Sequence, residues 1–476
     1  MLIVRELNNS VSKKLIGGGS VICHKLKVIE TMSEGNGLSN VYDDLIIQGV
    51  SIDSRTIQKH NLFIPIIRQL DGHDYVEEAI SKGAIASLWQ KDHPNPPVHV
   101  PLIYVDDCLK ALQILAANYR RELSIKVIGV TGSNGKTTTK DMINSVVQTK
   151  YRVHKTVGNL NSQIGVPLTI LDIDKNAEVA VIEMGMSESG QIDRLSRIAQ
   201  PDVAVITMIG VSHLSSLGSR EEIAAAKLEI VNGLQDNGVL IYNGDEPLLT
   251  NGLNIIRVKK PISAICFGEG DTNDYCVGTT LTNSEGSFFT VGDDKFYIPL
   301  LGTHNVSNAL ATIAVASILG IGPAEMDAGF RNLKITGMRM EKVVSPFGFT
   351  IINDAWNASP NSMTAAIKTF EELTGYARKF LVLGDMLELG EQEQEFHRDI
   401  GRNIDPTKID FIYTVGTLGK HIALEAEKRF HNGCVQAFPD KKELTKKLRN
   451  MVKQDDVILL KGSRGMQLET ILQNLL

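Results

Sequence analysis

The residues best equipped for chemistry stand together in Thr131-Gly132-Ser133-Asn134-Gly135-Lys136-Thr137-Thr138-Thr139. Two glycines let backbone N–H groups approach an anion closely, Lys136 can neutralise outer phosphates, and the Thr137 hydroxyl can hold Mg²⁺. The strict spacing GxxxxGK[ST] is not met, because Val130 fills the first glycine position, and the pattern is the shorter TGxxGKT. Three further side chains are placed to serve such a site. Glu183 ends the apolar run VAVI, His213 follows VAVITMIG, and Lys227 lies within AAAKLE. A carboxylate and a hydroxyl beside a triphosphate are the hard oxygen donors that Mg²⁺ prefers. By residue type alone, Glu183 also suits a helix cap or an ion pair, a lone histidine is commonly structural, and Lys227 reads as a surface lysine.

The elements that must hold these groups follow from patterning. Lys126 to Val130 is a short apolar run of the kind buried on both faces, and a helix is expected after the glycine turn, over Lys140 to Thr149. Val179–Glu183, Pro201–Ile209 and Val239–Asn243 are further strands, with a helix over Gln191–Ala199 between the first two. Ser219-Arg220-Glu221-Glu222 predicts a capping box opening a helix that stops at Asn232-Gly233. Alternating strands and helices indicate a parallel sheet, in which ligands sit beyond the carboxyl ends of strands. Cys276 to Leu301 reads as hairpins, followed by a long helix from about Asn305.

On either side lie two more blocks. Before about residue 120, strands are expected at Leu45–Ile52, Asn61–Ile67, Ile85–Trp89 and Leu102–Val105. Asp71-Gly72-His73-Asp74 caps a helix ending at Lys82-Gly83, and Cys108 to Arg121 is a helix leading out of the block. Its opening half is poorly patterned, with Gly17-Gly18-Gly19 and a polar loop from Thr31 to Asp44. After about residue 336, strands at Phe349–Asn353, Phe380–Leu383, Phe411–Val415 and Val457–Leu460 alternate with helices as in a second doubly wound sheet. The fold class is therefore α/β in three domains: a small N-terminal α/β domain (1–120), a central phosphate-loop parallel-sheet domain (121–335) and a C-terminal Rossmann-like domain (336–476).

Bulk properties agree. A chain of 476 residues exceeds the size of a single core. With 43% hydrophobic and 22% charged residues it is ordinarily globular. A net charge of −6 and no dense basic run exclude a nucleic-acid footprint. Five scattered cysteines without a CxxC spacing fit reduced thiols of a cytosolic protein. Met1 to Ser10 carries no signal-peptide pattern, and no apolar stretch is long enough for a membrane helix.

TGSNGKTTT, the EMG at Glu183, the His213 segment, the AK at Lys227 and GTHNVSNALA (302–311) occur in an order that resembles the Mur ligases. These are three-domain, ATP-dependent, ADP-forming amide ligases of peptidoglycan precursor synthesis. Four further segments are similar to the members that join D-alanyl-D-alanine to UDP-N-acetylmuramoyl-tripeptide. They are SIDSR (51–55) with DGHDY (71–75), GNLNSQIGVP (158–167), LGDMLELGE (383–391) and LKGSRGMQLE (460–469).

The resemblance implies roles for particular residues. ATP would be bound by Gly132, Ser133, Asn134, Gly135, Lys136, Thr137 and Thr138, with His304, Asn305, Asn308, Arg339 and Asp354. Two Mg²⁺ ions would be held by Thr137 and Glu183 and by His213 with a carbamylated Lys227. Lys136, His213 and Lys227 would carry catalysis. Ser54, Arg55, Asn159 and Asn161 would hold the UDP-muramoyl peptide. The resemblance implies a cytoplasmic monomer.

Several positions depart from the family pattern: His60-Asn61, Pro65 to Arg68, an apparent insertion between Lys27 and Asp44, Ser162, the segment after EMG, and Trp356 where tyrosine is common. Trp356 reads as a packing aromatic. These departures leave the ATP and metal positions intact and bear on substrate identity. Competing readings are a Mur-type ligase with another acceptor or amine, a folate polyglutamylating enzyme, a phosphate-loop NTPase or kinase, and an inert binding module.

Overall fold

A computed structural model describes residues 21–256, 260–283 and 285–476, so the readings of Met1–Ser10 and Gly17–Gly19 lie outside the described residues. Three sheets with parallel strand pairing divide the chain. The first is four-stranded, in the order β3-β4-β5-β6: β3 Val50–Ser51, β4 Leu62–Phe63, β5 Ala86–Gln90 and β6 Leu102–Val105. A small antiparallel pair, β1 Cys23–Lys25 with β2 Ile46–Gln48, lies beside it. The expected strand Leu45–Ile52 is thus two strands. Gly49 adopts φ +81° between them, a conformation open to glycine and strained for other residues, and it turns the chain from one sheet into the other. The expected strand Asn61–Ile67 pairs only over Leu62–Phe63 and ends before Pro65, which cannot donate to a ladder.

The polar stretch from Thr31 is more ordered than expected. A helix over Leu26–Met32 takes in its first residues, Asn36 exchanges backbone bonds with Tyr104, and Asn40–Tyr42 forms a 3₁₀ turn.

The second sheet holds seven parallel strands in the order β13-β12-β11-β10-β7-β9-β8. They are β7 Lys126–Thr131, β8 Val153–Lys155, β9 Val179–Glu183, β10 Val203–Ile206, β11 Val239–Asn243, β12 Ser263–Gly268 and β13 Tyr275–Cys276. β7 lies inside the sheet between β9 and β10, buried throughout after Lys126. The chain leaves its carboxyl end towards β8 on one side and reaches β10 on the other, so the glycine turn sits where strand order reverses. Beyond β13, an antiparallel meander of β14 Thr280–Thr282, β15 Ser287–Val291 and β16 Asp294–Ile298 confirms the expected hairpins. The long helix begins at Thr303, two residues before the expected start, and ends at Ile318.

The third sheet runs β17-β18-β22-β19-β20-β21, parallel except for the edge strand β17. Its strands are β17 Glu341–Val344, β18 Thr350–Asp354, β19 Lys379–Leu383, β20 Phe411–Val415, β21 Val435–Phe438 and β22 Val457–Lys461. β22 inserts between β18 and β19, which brings Asp354 and Lys461 side by side. Among the described residues no helix is long and apolar enough to cross a membrane.

The helix Cys108–Glu122 packs against helices Gly165–Leu171 and Gln191–Ala199 of the seven-stranded sheet. Gln113 Nε2 donates to Gln163 O, and Arg120 Nε donates to Ala199 O at 2.9 Å. Its apolar side joins one continuous core with residues from both regions, from Ile22 to Leu249.

The phosphate-loop helix, Lys136–Val147, is fixed from behind by the helix Pro323–Arg331. A Cβ on Gly329 would lie 2.6 Å from Val146 Cα and 3.0 Å from Ser145 O. Only glycine permits this approach, so Gly329→Ala is expected to lower stability by about 1–3 kcal/mol through overpacking. A shift of the urea midpoint of the full chain checks it.

Candidate active site

The glycine turn closes because residues 132 and 135 adopt φ +149° and +82°. A Cβ on Gly135 would stand 2.5 Å from Asn308 Oδ1. Asn308 is held in turn, donating to Asn305 Oδ1, while Asn305 donates to Leu301 O at 2.8 Å. The start of the Thr303–Ile318 helix is thereby pressed onto the loop, and Asn305 and Asn308 join the turn in one cluster. Ser133 Oγ donates to Gly210 O, and Thr207 Oγ1 donates to Asn134 O. Lys136 Nζ folds back onto Gly132 O at 2.7 Å and Ser133 O at 3.2 Å, an arrangement a phosphate can replace with stronger charge-assisted bonds. Thr138 is buried in the first helical turn.

Glu183 ends β9 beside this turn. Asn161 Nδ2 donates to Glu183 Oε1 at 2.7 Å, and Lys140 Nζ lies 3.9 Å from Oε2. Oε2 is buried without a hydrogen-bond partner. A buried carboxylate oxygen that accepts no hydrogen bond fits a cation that would complete its coordination.

Lys227 is not a surface residue: it is 2% exposed, on the helix Arg220–Leu228. Among the described residues its Nζ has no hydrogen-bond or ion-pair partner. Burial drives its ammonium well below the ordinary lysine value, and the charge of Lys136 pushes the same way. Ser219 caps this helix through Glu222 N, but the reciprocal bond of a capping box is not made. A 3₁₀ turn over Glu229–Asn232 carries the chain on to Gly233.

The C-terminal region closes over the turn. Arg339 Nη2 donates to Thr137 Oγ1 at 2.8 Å, Asn134 Nδ2 donates to Ser359 Oγ, and Val211 N donates to Asn361 Oδ1. Asp354 is fixed by Lys461 Nζ at 2.6 Å. His304 lies near both; desolvation lowers its imidazolium, with Asp354 opposing. His213 is turned to the third region: its Nδ1 lies 2.7 Å from Glu388 Oε2, and both residues adopt positive φ. Trp356 is not simply a packing aromatic. Its ring faces the guanidinium carbons of Arg464 at 5.1 Å and Arg339 at 5.9 Å, a cation–π bridge.

The four residues expected at the peptide substrate lie in two segments. Ser54 Oγ donates to Glu78 Oε2, and Arg55 forks onto Asp53 with two bonds of 2.8 Å. Asn159 and Asn161 lie in the loop before the helix Gly165–Leu171, which packs against β3. Asn161 is shared with Glu183.

Sequence reasoning missed Lys140, Asp141, Lys155, Glu388 and Lys461. Asp141 is fully buried one turn into the phosphate-loop helix, where it accepts from Thr336 N and Oγ1 at 2.8 Å and from Lys155 Nζ at 2.7 Å. Burial tends to raise its carboxyl, but Lys140 and Lys155 hold it below the usual range. The run Lys140-Asp141 directly after the loop was the available signal: charged residues on the inner face of a helix call for partners.

Sequence models of the family match residues 46–120 (Mur ligase family, catalytic domain), 130–316 (Mur ligase middle domain) and 338–464 (Mur ligase, glutamate ligase domain). The UDP-N-acetylmuramoyl-tripeptide–D-alanyl-D-alanine ligase of Bacillus subtilis (strain 168) is 50% identical over 459 residues, 96% of this chain and 99% of that protein. The chain belongs to the Mur ligase family. The ligase of the same description from Escherichia coli (strain K12) is 31% identical, over 91% of this chain and 94% of its own. Among solved structures, MurF from Acinetobacter baumannii superposes with a TM-score of 0.85 at 27% identity, covering 96% of this chain and 99% of its own. The MurF ligase from Thermotoga maritima in complex with ADP superposes at 0.77 with 28% identity, covering 90% and 96%.

Gly135→Ala combines an unfavourable φ with a collision against Asn308. It is expected to weaken ADP binding at least about tenfold, or ~1.4 kcal/mol. Titration calorimetry reads the loss, and Gly190→Ala, where a Cβ meets nothing within 4 Å, serves as the control for a left-handed glycine elsewhere.

Proposed function

We infer that the protein is an ATP-dependent, ADP-forming ligase that joins D-alanyl-D-alanine to UDP-N-acetylmuramoyl-tripeptide in peptidoglycan precursor synthesis. The observation that carries this is the 50% identity to the Bacillus subtilis ligase, continuous over 96% of the chain. In our reading it works as a cytoplasmic monomer.

The reaction must bring a carboxylate to an anionic γ-phosphate. The terminal carboxylate of the tripeptide attacks phosphorus, forming an acyl phosphate and releasing ADP; the dipeptide amine then attacks the carbonyl and phosphate leaves. Both steps are limited by charge repulsion and by positioning. Lys136 and the amides of residues 132–138 take the outer phosphates, Arg339 closes from above, and Asn305 and Asn308 hold the turn in shape. His304 and Asp354 line the nucleotide side. Thr137, Glu183, His213 and Lys227 are the groups that would hold Mg²⁺, whose contribution is to offset the negative charge that builds up on the phosphoryl oxygens. Glu183 Oε2, buried without a hydrogen bond, supports that donor set. Ser54, Arg55, Asn159 and Asn161 hold the UDP-linked substrate at the junction of the first two regions. Closure of the third region, through Arg339–Thr137 and Ser359–Asn134, keeps water from the acyl phosphate.

Lys227 is suited to carbamylation. Burial lowers the pKa of its ammonium and so favours the free amine, whose lone pair can add to CO₂; one C=O pair moves to oxygen and a proton leaves. The product is an anionic oxygen donor where an ammonium would repel a cation.

Incubation with ATP, Mg²⁺, UDP-muramoyl tripeptide and D-Ala-D-Ala should yield one ADP per pentapeptide nucleotide, detected by mass. ADP formation independent of both peptide substrates would refute ligation, and Lys136→Ala should abolish it. Unmodified Lys227 also sets a pH dependence. Its native pKa is depressed, so between that value and the ordinary lysine value the unfolded chain binds the extra proton, and stability rises with pH. In CO₂-free buffer the urea midpoint of Lys227→Met should exceed that of the wild type, with the gap shrinking as pH rises towards the ordinary lysine value of about 10.4.

A further inference from the structure

The chain passes from the central to the third region at Thr336, three residues before Arg339, and this short arm is gripped from both sides. On the central side Asp141 Oδ2 accepts from Thr336 N and from Thr336 Oγ1, each at 2.8 Å. Asp141 cannot drift. Its side chain is fully buried, Lys155 Nζ donates to its Oδ1 at 2.7 Å, and Lys140 Nζ lies 3.5 Å away. On the far side Met340 N donates to Asp354 Oδ1, Met338 N donates to Glu341 Oε2, and Trp356 N donates to Met338 O. Met338 and Met340, which flank Arg339, adopt φ +61° and +52°, a left-handed conformation unfavourable for a residue with a side chain. Backbone of this kind persists where the surrounding bonds over-determine it.

The arginine itself is held lightly. Its Nη2 donates to Thr137 Oγ1 at 2.8 Å, its Nε is buried without a hydrogen bond, and the Trp356 ring lies 5.9 Å from the guanidinium carbon. Its place over the phosphate loop therefore follows from where its backbone is fixed. Thr137 and Asp141 stand four residues apart on one helix and so share a face. They meet Arg339 and Thr336 respectively, and the arm runs back along the helix. Four helical residues rise about 6 Å, whereas three extended residues span about 10 Å. The left-handed turn at Met338 shortens the arm to the helical spacing.

We propose that Asp141 is a positioning residue for Arg339: it pins Thr336 one helical turn from Thr137 and thereby sets the guanidinium over the loop that takes the outer phosphates. The Asp141 carboxylate is taken up by Thr336 and the two lysines, so it acts through the arginine rather than on the nucleotide. The effect on turnover rests on the ligase reading above, whereas the placement of Arg339 does not.

Thr336→Val keeps the side-chain shape and the amide bond to Asp141 but loses the hydroxyl donor, and Thr336→Ser keeps both donors. In the full chain with ATP, Mg²⁺ and both peptide substrates, Thr336→Val should lower kcat about tenfold, the worth of one hydrogen bond to a charged group. The KM for ATP should change less than about twofold, and Thr336→Ser should restore kcat. In an Arg339→Ala background Thr336→Val should cost less than about twofold, because the group it acts through is gone. An equal loss in both backgrounds, or no loss in the first, overturns the proposal. A second readout does not need ligation. Trp356 is one of two tryptophans, so Trp89→Phe leaves it as sole emitter. In that chain, with ADP binding as the check on folding, Thr336→Val should shift the emission in the same direction as Arg339→Ala and add nothing when the two are combined. Emission unchanged by Thr336→Val overturns the positioning role. Absence of product with the wild type refutes the ligase reading instead, and the emission then decides the placement of Arg339.

Discussion

Positive charge withdrawn from water organises this molecule. Lys136, Lys140 and Arg339 gather around a single carboxylate, Glu183, with Lys227 near Lys136, Asp141 on the phosphate-loop helix and Asp354 near Arg339. Desolvation depresses each of the three lysines. A desolvated ion costs several kcal/mol, by order of magnitude, unless an opposite charge is close. The arrangement is therefore complementary to a polyanion, and the fold is the means of holding that unbalanced field in place.

That requirement explains why the site draws on distant parts of the chain. The central sheet supplies the turn after β7 and the carboxylate after β9. The Thr303–Ile318 helix presses Asn308 against Gly135. From the third region come Arg339 and Ser359, and Asp141 anchors Thr336 at the point where the chain passes from one region to the next. The turn and the third region are thus joined directly, through Arg339 Nη2 to Thr137 Oγ1 and Asn134 Nδ2 to Ser359 Oγ.

Much of this could be read from residue order. The central strands announced themselves as apolar runs, and β11, β20 and the helix Gln191–Ala199 have the expected bounds. What escaped reading had weak or conflicting local signals. β8 and β21 are short and only partly buried, so no apolar run marks them. Gly49 sits inside what looks like one strand, and only the tertiary partners reveal two. In the site, the loop glycines, Lys136 and Glu183 were visible by type and spacing. Glu388 and Lys461 were not, because their roles depend on His213 and Asp354, far away in sequence, and the burial of Lys227 depends on packing that a polar residue in an alanine-rich helix does not disclose.

The helix Cys108–Glu122 has a bearing on how such enzymes diversify. One of its sides belongs to the four-stranded sheet and another roofs the seven-stranded one, with Arg120 capping carbonyls at residues 199 and 200. Exchanging the N-terminal region between relatives by cutting near residue 120 would expose apolar surface on both fragments. A viable chimera has to carry this helix together with its two partner helices, or keep all three from the recipient. Modular in outline, the chain is spliced by a shared beam, and recombination within the family is constrained to respect it.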